Sequence, residues 1–423
     1  LQTIHTNNPK GIAVSTTMTG KPFPSPAASC PCAPRKPRRL FAYGRTAALT
    51  LSAFIGALWA CLLTMPLARA GDIDSLEPAS VPSLLASLRT ASAPDFCGEP
   101  VPLHIQQVRE ELEKELMLCI WNRPQVILWI KRSGRYMGHI EASLREHGLP
   151  EDIKYVPIIE SALLPHVASS KGAVGFWQFI GGTGKRHGLR IERSVDERRN
   201  LFASTRAAVD YFKVLHERFH SWTLAAAAYN MGEEGLEAEV LAQETDDFYQ
   251  LYLPLETQRY VLRLVAVKMI LSDPSRYGFV LEEGDLYPPL AFQRVQVACP
   301  QEIPLLLVAK AAGTSFKNIK ELNPEIRGYY LAKGEHCLLV PQGASKDFEA
   351  RFQGLLQRWL TQPEGRRIYV VQPGDSLSSI AARFQVPLPA LLIWNRLDPS
   401  KPIHPGDRIT VNQGTRGIDD AKD

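Results

Sequence analysis

One carboxylate stands inside an apolar run, Tyr155-Val156-Pro157-Ile158-Ile159-Glu160-Ser161-Ala162-Leu163-Leu164. Glutamate in water is ionised at neutral pH, but apolar surroundings penalise the charge and raise the pKa. A glutamate that keeps its proton can act as a general acid. Taken alone, a helix residue with a local cation partner would explain Glu160 equally well. Three further segments shift the balance. Gly172-Ala173-Val174-Gly175-Phe176-Trp177-Gln178-Phe179 is a glycine-rich turn whose small residues let backbone approach a ligand closely. Its Gln178 offers both a donor and an acceptor, and its aromatics suit either sugar stacking or, for Trp177, core packing. Ala226-Ala227-Ala228-Tyr229-Asn230-Met231-Gly232 brings a polar pair out of a small-residue run. Glu256-Thr257-Gln258-Arg259-Tyr260 places Glu256 and Tyr260 on one helical face at i, i+4.

Helices are the elements that must carry these groups. Apolar residues recur at three-to-four spacing through Val108, Leu112, Leu116 and Cys119-Ile120, with the charges of Arg109–Glu115 between them as a solvated face. Similar patterns run from Leu201 past Leu215 and from Pro254 to Leu271. Five or more helices between about 101 and 277 predict an all-α domain with its own core. After Asp285–Pro289 the character changes to short β-branched runs flanking helical patterns. Val295–Val297 and Leu338–Val340 bracket helices near 303–312 and 318–322; Ile368–Val371 and Arg408–Val411 bracket helices at 376–384 and 387–394. This reads as one βααβ unit used twice, with an amphipathic helix at Phe348–Leu360 between the copies.

The 423 residues are 45% hydrophobic and 22% charged, ordinary for a globular chain, and predict two to four domains. The net charge of +4 is uneven: residues 1–70 hold eight Lys and Arg and no Asp or Glu, leaving the rest slightly acidic. A slightly acidic body argues against nucleic acid as a partner. The basic Arg35-Lys36-Pro37-Arg38-Arg39, the uncharged Thr46–Ala68 and the closing Ala68-Arg69-Ala70 have the layout of a secretory signal cut before Gly71. An uncleaved inner-membrane anchor is the competing reading, since about 20 apolar residues span a bilayer; a lipoprotein cut at Cys61 is the third. All three export the body of the protein. Of the four cysteines beyond the leader, local disulfides Cys97–Cys119 and Cys299–Cys337 are expected, with buried free thiols as the alternative. His139-Ile140-Glu141 with His147 lacks zinc-protease spacing, and no metal or cofactor is expected.

Together, in this order, the Pro-Ile-Ile-Glu-Ser, Gly-x-x-Gly-x-Trp-Gln-Phe and Ala-Tyr-Asn-x-Gly elements and the Glu256–Val261 segment resemble the goose-type lysozyme and soluble lytic transglycosylase superfamily. The resemblance is closest to the membrane-bound lytic murein transglycosylase D group and covers residues 101–275. Asp196-Glu197-Arg198-Arg199-Asn200-Leu201 also fits. Met231 and the Phe176-Trp177 pair depart from the usual residues and would reshape a subsite. The resemblance implies that Glu160 is the catalytic acid/base. It implies that Ser161, Gln178, Tyr229, Asn230 and Tyr260 line the sugar subsites or position the acid, and that Glu256 is a structural or site carboxylate. It further implies cleavage of the N-acetylmuramic acid–N-acetylglucosamine bond of peptidoglycan strands without added water. A non-catalytic wall-binding scaffold and a lysozyme-type hydrolase are the alternatives.

The tail, Tyr369–Leu377 through Asn395, Leu397, Ile403, Pro405-Gly406-Asp407 and Ile409, resembles a LysM domain. That implies glycan binding between the Gly374, Asp375, Ser376, Leu377 turn and the loop from Asn395 to Ile403; turn and cap chemistry would explain the same residues. Residues 293–342 resemble a degenerate copy that has lost the opening Gly-Asp. The expected organisation is a leader at 1–70 and a tether at 71–100. An all-α lysozyme-like catalytic domain follows at 101–285. Small α+β LysM modules follow at 293–342 and 368–412, joined by a linker at 343–367. The expected location is the periplasm of a Gram-negative bacterium, with the signal cleaved.

Overall fold

The computed structural model describes residues 82–89, 93–361, 366–395, 397–398 and 400–413. The leader at 1–70, with its signal or anchor, lies outside the described residues.

Helix α1 (Leu84–Leu88) and a hairpin of β1 (Asp95–Phe96) and β2 (Glu99–Pro100) precede the first long helix. The segment expected as a tether is therefore folded at its end. Phe96 and Val101 are buried in the helical core, and Lys268 pairs with Asp95 at 2.8 Å. Then come α2 (Gln106–Trp121), α3 (Arg123–Glu146), α4 (Val156–Ser161), α5 (Gly181–Arg186), α6 (Leu201–Phe219), α7 (Trp222–Met231), α8 (Glu233–Gln243) and α9 (Leu255–Ser272). In α7 the run Ala225–Ala228 is completely buried. Its methyl-sized side chains let flanking helices pack closely around it, so α7 forms the centre of the domain. Side-chain caps set two starts: Asn200 accepts from the Ala203 N–H, and Ser221 accepts from the Leu224 N–H.

The first small module pairs β3 (Phe292–Cys299) with β6 (Gly334–Pro341) antiparallel, Val295 opposite Leu338. Between them lie β4 (Ile303–Pro304), α10 (Leu306–Ala311), α11 (Phe316–Leu322) and β5 (Tyr330–Leu331). The amphipathic helix α12 (Phe348–Thr361) forms within the expected linker, but it does more than join. Phe348, Phe352 and Leu356 complete the module's core. The module docks on the helical domain through a Val195–Ile326 bridge, an Asp196 N–H to Glu325 carbonyl bond of 2.8 Å, and an Arg327 N–H to Ser194 carbonyl bond of 2.7 Å. The second module pairs β7 (Arg366–Val370) with β8 (Arg408–Gln413) around α13 (Leu377–Arg383) and α14 (Leu388–Asn395), over Val371, Ile380, Leu391 and Ile409.

The expected disulfides are absent: Cys97, Cys119, Cys299 and Cys337 are free. Strand alternation explains the second pair. Cys299 falls on the buried face of β3, whereas Cys337 lies opposite Gln296 on the exposed face. Cys97 occupies the tight β1–β2 turn at φ +53°, and Cys119 packs into the core from α2. Burial raises both of those thiols, Cys119 to about 12.

Candidate active site

Glu160 sits in the last turn of α4, a helix held short from both ends. Pro157 is tolerated in the first turn, where its missing N–H costs nothing. Ala162 and Leu163 both take left-handed backbone, φ +53° and +58°, and stop the helix immediately. The Ala162 N–H bonds the Ile158 carbonyl at 2.9 Å and the Leu163 N–H bonds the Pro157 carbonyl at 3.2 Å. Such a cap usually uses glycine; two non-glycine residues there store strain of about 1 kcal/mol each. Arg132 of α3 donates to the Ala162 carbonyl at 3.0 Å and holds the cap in place.

Burial is the largest influence on the Glu160 carboxyl and raises its pKa to about 7. The hydrogen bond from Tyr260 works against this, the Glu256 charge adds to the rise, and the Arg263 charge subtracts. The Tyr260 hydroxyl donates to Glu160 Oε1 at 2.8 Å. Burial, and then the Glu160 charge, keep the phenols of Tyr260 and Tyr229 protonated.

Glu160 opens on a cleft of about 600 Å3 that Gln178, Tyr229, Asn230 and Glu256 also line. Tyr229 stacks on Phe212 at 4.7 Å and donates to the Trp177 carbonyl at 2.6 Å, so α7 is bolted to the glycine-rich turn. The Asn230 side-chain oxygen accepts from the Thr257 hydroxyl at 2.9 Å, which ties α7 to α9. Glu256 is exposed and faces Lys171 at 3.5 Å across the cleft mouth. Gln178 takes φ +49°; its side-chain amide donates to the Val167 and Gly175 carbonyls at 3.1 and 2.8 Å, leaving its carbonyl oxygen free of those bonds.

Ser161 does not line the cleft. It is buried, with its hydroxyl 2.8 Å from the Phe176 carbonyl, and it locks the Glu160 helix to the turn. Trp177 is also core: fully buried, with Nε1 donating to Thr205 at 3.1 Å. The close approach reserved by Gly175 is to protein rather than ligand. At φ +86°, a Cβ there would meet the Arg198 carbonyl oxygen at 1.9 Å.

The sequence motifs assign no role to several groups that position the site. Buried Arg198 pairs with Asp196 at 2.8 Å and donates to the Gly172 and Phe179 carbonyls, clamping both ends of the turn. Glu99 caps α7, accepting from the Trp222 and Thr223 N–H groups at 2.6 and 2.9 Å. Glu115, read as part of a solvated face, is 1% exposed and held by Arg259 and Arg263. Its spacing from Leu112 and Cys119 put it on the buried stripe, a signal the charge run obscured.

In the second module, Gly374 takes φ +87° and Asp375 accepts from the Gln372 N–H and the Tyr369 hydroxyl. Ser376 caps α13, and Leu377 and Ile403 pack against the module's core. The Asn395 side chain is committed to the Leu391 and Thr410 backbone. Asn323 makes the corresponding bonds to Ile319 and Leu339 in the first module, so this asparagine is a shared structural pin. Among the described residues no group of His, Cys, Asp and Glu could hold a metal ion.

The Transglycosylase SLT domain family matches residues 138–251, and the LysM domain family matches 369–412. A third family, described as the lytic transglycosylase MltD LysM-like domain, matches 291–353. Membrane-bound lytic murein transglycosylase D of Escherichia coli strain K12 is 33% identical over 348 residues, 77% of this chain and 75% of that protein. The protein of the same name from Escherichia coli O6:H1 gives the same figures. A putative tributyltin chloride resistance protein of Alteromonas sp. strain M-1 is 34% identical over 110 residues, 25% of this chain and 53% of its own length. The solved 70 kDa soluble lytic transglycosylase of Escherichia coli overlaps at TM-score 0.31 and 16% identity, covering 41% of this chain and 32% of that one, a likeness too slight to carry an argument.

Proposed function

The chain belongs to the membrane-bound lytic murein transglycosylase D family, and from that premise we propose that it cleaves peptidoglycan strands in the cell envelope with Glu160 as the sole acid/base. The observation that carries this reading is a carboxyl raised to about 7, hydrogen-bonded to Tyr260 at the wall of the cleft. Such a group is protonated in a large fraction of molecules at neutral pH and gives up its proton at little cost.

Glu160 donates its proton to the oxygen joining N-acetylmuramic acid to N-acetylglucosamine. As that bond breaks, the muramoyl N-acetyl group stabilises the cation developing at C1. The Glu160 carboxylate then takes the proton from the C6 hydroxyl of the same sugar, and that oxygen closes on C1 as a 1,6-anhydro ring. The nucleophile is intramolecular, so its effective concentration is very high and no second carboxylate is needed. Ordinary glycosidases use a pair. Tyr260 orients the acid, while Gln178, Tyr229 and Asn230 shape the sugar subsites. The LysM domain, through the Gly374–Leu377 turn and the loop approaching Ile403, holds the enzyme on its polymer and raises local substrate concentration. An exported body with a cleaved N-terminal signal fits this role.

Mass analysis of digested sacculi tests the reading. Products ending in 1,6-anhydromuramic acid support it; reducing ends alone would reassign the chemistry to hydrolysis. Glu160→Gln is expected to bind sacculi without solubilising them. A wild-type protein that binds and never solubilises would leave only a scaffold.

A further inference from the structure

A second cavity, of about 320 Å3, shares Glu160, Asn230 and Glu256 with the main cleft but takes its remaining wall from α9 and the end of α4. No residue of the Gly172–Phe179 turn lines it. Arg259 and Arg263, one turn apart on α9, do.

These arginines are held in an unusual way. Both grip the buried Glu115, and each uses only its Nε: Arg259 to Oε1 at 2.5 Å and Arg263 to Oε2 at 2.9 Å. A guanidinium presents five N–H donors in a planar fork. The Nε bond fixes each fork and leaves its outer nitrogens unpaired within the described protein. The side chains are 30% and 36% exposed, and both line the cavity. Two guanidinium charges face the single buried carboxylate of Glu115, so that pairing leaves one of them in excess. The cavity's other acidic lip, Glu256, is exposed and turned to Lys171. Ile159 and Leu255 supply apolar wall.

We propose that this cavity is a carboxylate subsite, which takes an ionised carboxyl group of the peptide borne by muramic acid while Glu160 meets the glycosidic oxygen. Preorganised arginine forks match a planar carboxylate better than any other group in the substrate. The proposal rests on the murein-cleaving reading and names the further part of the substrate that the site recognises.

Occupation of the subsite also acts on the acid. The charged and titratable groups facing Glu160 are Tyr260, Glu256 and Arg263 of α9 and Tyr229 of α7. Of these, Arg263 disfavours the proton on Glu160. A substrate carboxylate on Arg263 offsets that charge, so the acid holds its proton more firmly when a peptide-bearing strand is bound.

The test compares kcat/KM on glycan strands whose peptides carry free carboxylates with strands whose carboxylates are converted to amides. Wild-type protein is expected to prefer the free acids by roughly tenfold, the usual weight of a charge-assisted hydrogen bond. Glu115→Gln/Arg259→Gln/Arg263→Gln removes the three charges together, avoids stranding a buried carboxylate, and is expected to bring the ratio near one. Arg259→Lys/Arg263→Lys keeps the charge and should retain part of the preference. A wild-type ratio near one, or an unchanged ratio in the triple variant, overturns the proposal. Should the triple variant fail to fold, calorimetry with full-chain Glu160→Gln and soluble disaccharide-peptides decides: tighter binding of the free acid supports the subsite, and equal binding removes it. If the wild type cuts neither strand, the proposed activity fails, and the same calorimetry still judges the subsite.

Discussion

The hydroxyl of Tyr260 donates a 2.8 Å hydrogen bond to Oε1 of Glu160, joining residues 100 positions apart in the chain. The bond favours the ionised carboxylate and so opposes the burial that raises its pKa to about 7. Tyr260→Phe removes that opposition, and the pKa rises further. Activity that needs the protonated acid falls as pH climbs through this pKa, so the variant's alkaline limb is expected at higher pH than that of the wild type. Lost orientation should also lower kcat, by about 10-fold or more. A pH profile of kcat/KM on soluble glycan fragments reads both effects.

Stability carries the same signature. In the folded protein Glu160 binds its proton up to about pH 7, whereas the unfolded chain releases it near the ordinary glutamate value of 4.5. Between those values the native state holds more protons, so unfolding free energy declines as pH rises through the window. The decline from this group is at most about 3 kcal/mol. Glu160→Gln abolishes it: the variant is expected to be more stable than the wild type at pH 8 and nearly equal at pH 4. Urea denaturation at the two pH values measures the difference.

Gly175→Ala should be severe. Its Cβ would fall 1.9 Å from the Arg198 carbonyl oxygen, in backbone at φ +86°. Neither a rotamer change nor a side-chain shift relieves a clash with backbone, so a loss of at least about 3 kcal/mol is expected. Arg198→Ala strands the buried Asp196 carboxylate and frees both ends of the turn, at a similar cost of about 3–5 kcal/mol. Thermal melts check stability. Because Gln178 rides on the turn, KM should rise in any fraction that folds.

Glu99→Ala tests a contact made far from the cleft. The carboxylate accepts from two N–H groups and two hydroxyls at the start of α7. The substitution is expected to cost about 2 kcal/mol, with Glu99→Gln costing less, since an amide oxygen still accepts but brings no charge to the helix N-terminus. Chemical denaturation of both variants gives the comparison.

Asn395→Ala and Asn323→Ala should behave alike in their two modules. Each asparagine bridges a helix end to the closing strand. Loss of Asn395 is expected to weaken retention on sacculi through local unfolding of the LysM domain, while cleavage of soluble fragments stays unchanged. Co-sedimentation with sacculi, alongside a soluble-substrate assay, separates the two.

Much of this was legible in the residue string. The Glu160 segment, the glycine-rich turn, Tyr229-Asn230 and Tyr260 all stand out in the sequence, and the structure brings them to the cleft and the cavity beside it. Both modules pair their end strands as the β-branched runs required. What stayed hidden followed from long-range partners. Glu115 looks like any charge on a helix until α9 brings two arginines to it from 144 and 148 residues away. Glu99 looks like tether until α7 places its unsatisfied N–H groups beside it, 123 and 124 residues on.

By itself the sequence determined periodicity, turns and which residue types recur at motif spacing, because these depend on local backbone geometry and the burial of apolar side chains. Only the tertiary structure decided which charges are buried and paired, that Ser161 and Trp177 serve the scaffold, that Cys299 and Cys337 point to opposite faces, and that Arg259 and Arg263 open onto the cavity beside Glu160. Desolvation and hydrogen-bond geometry act through space, and their partners lie on segments that no local pattern connects.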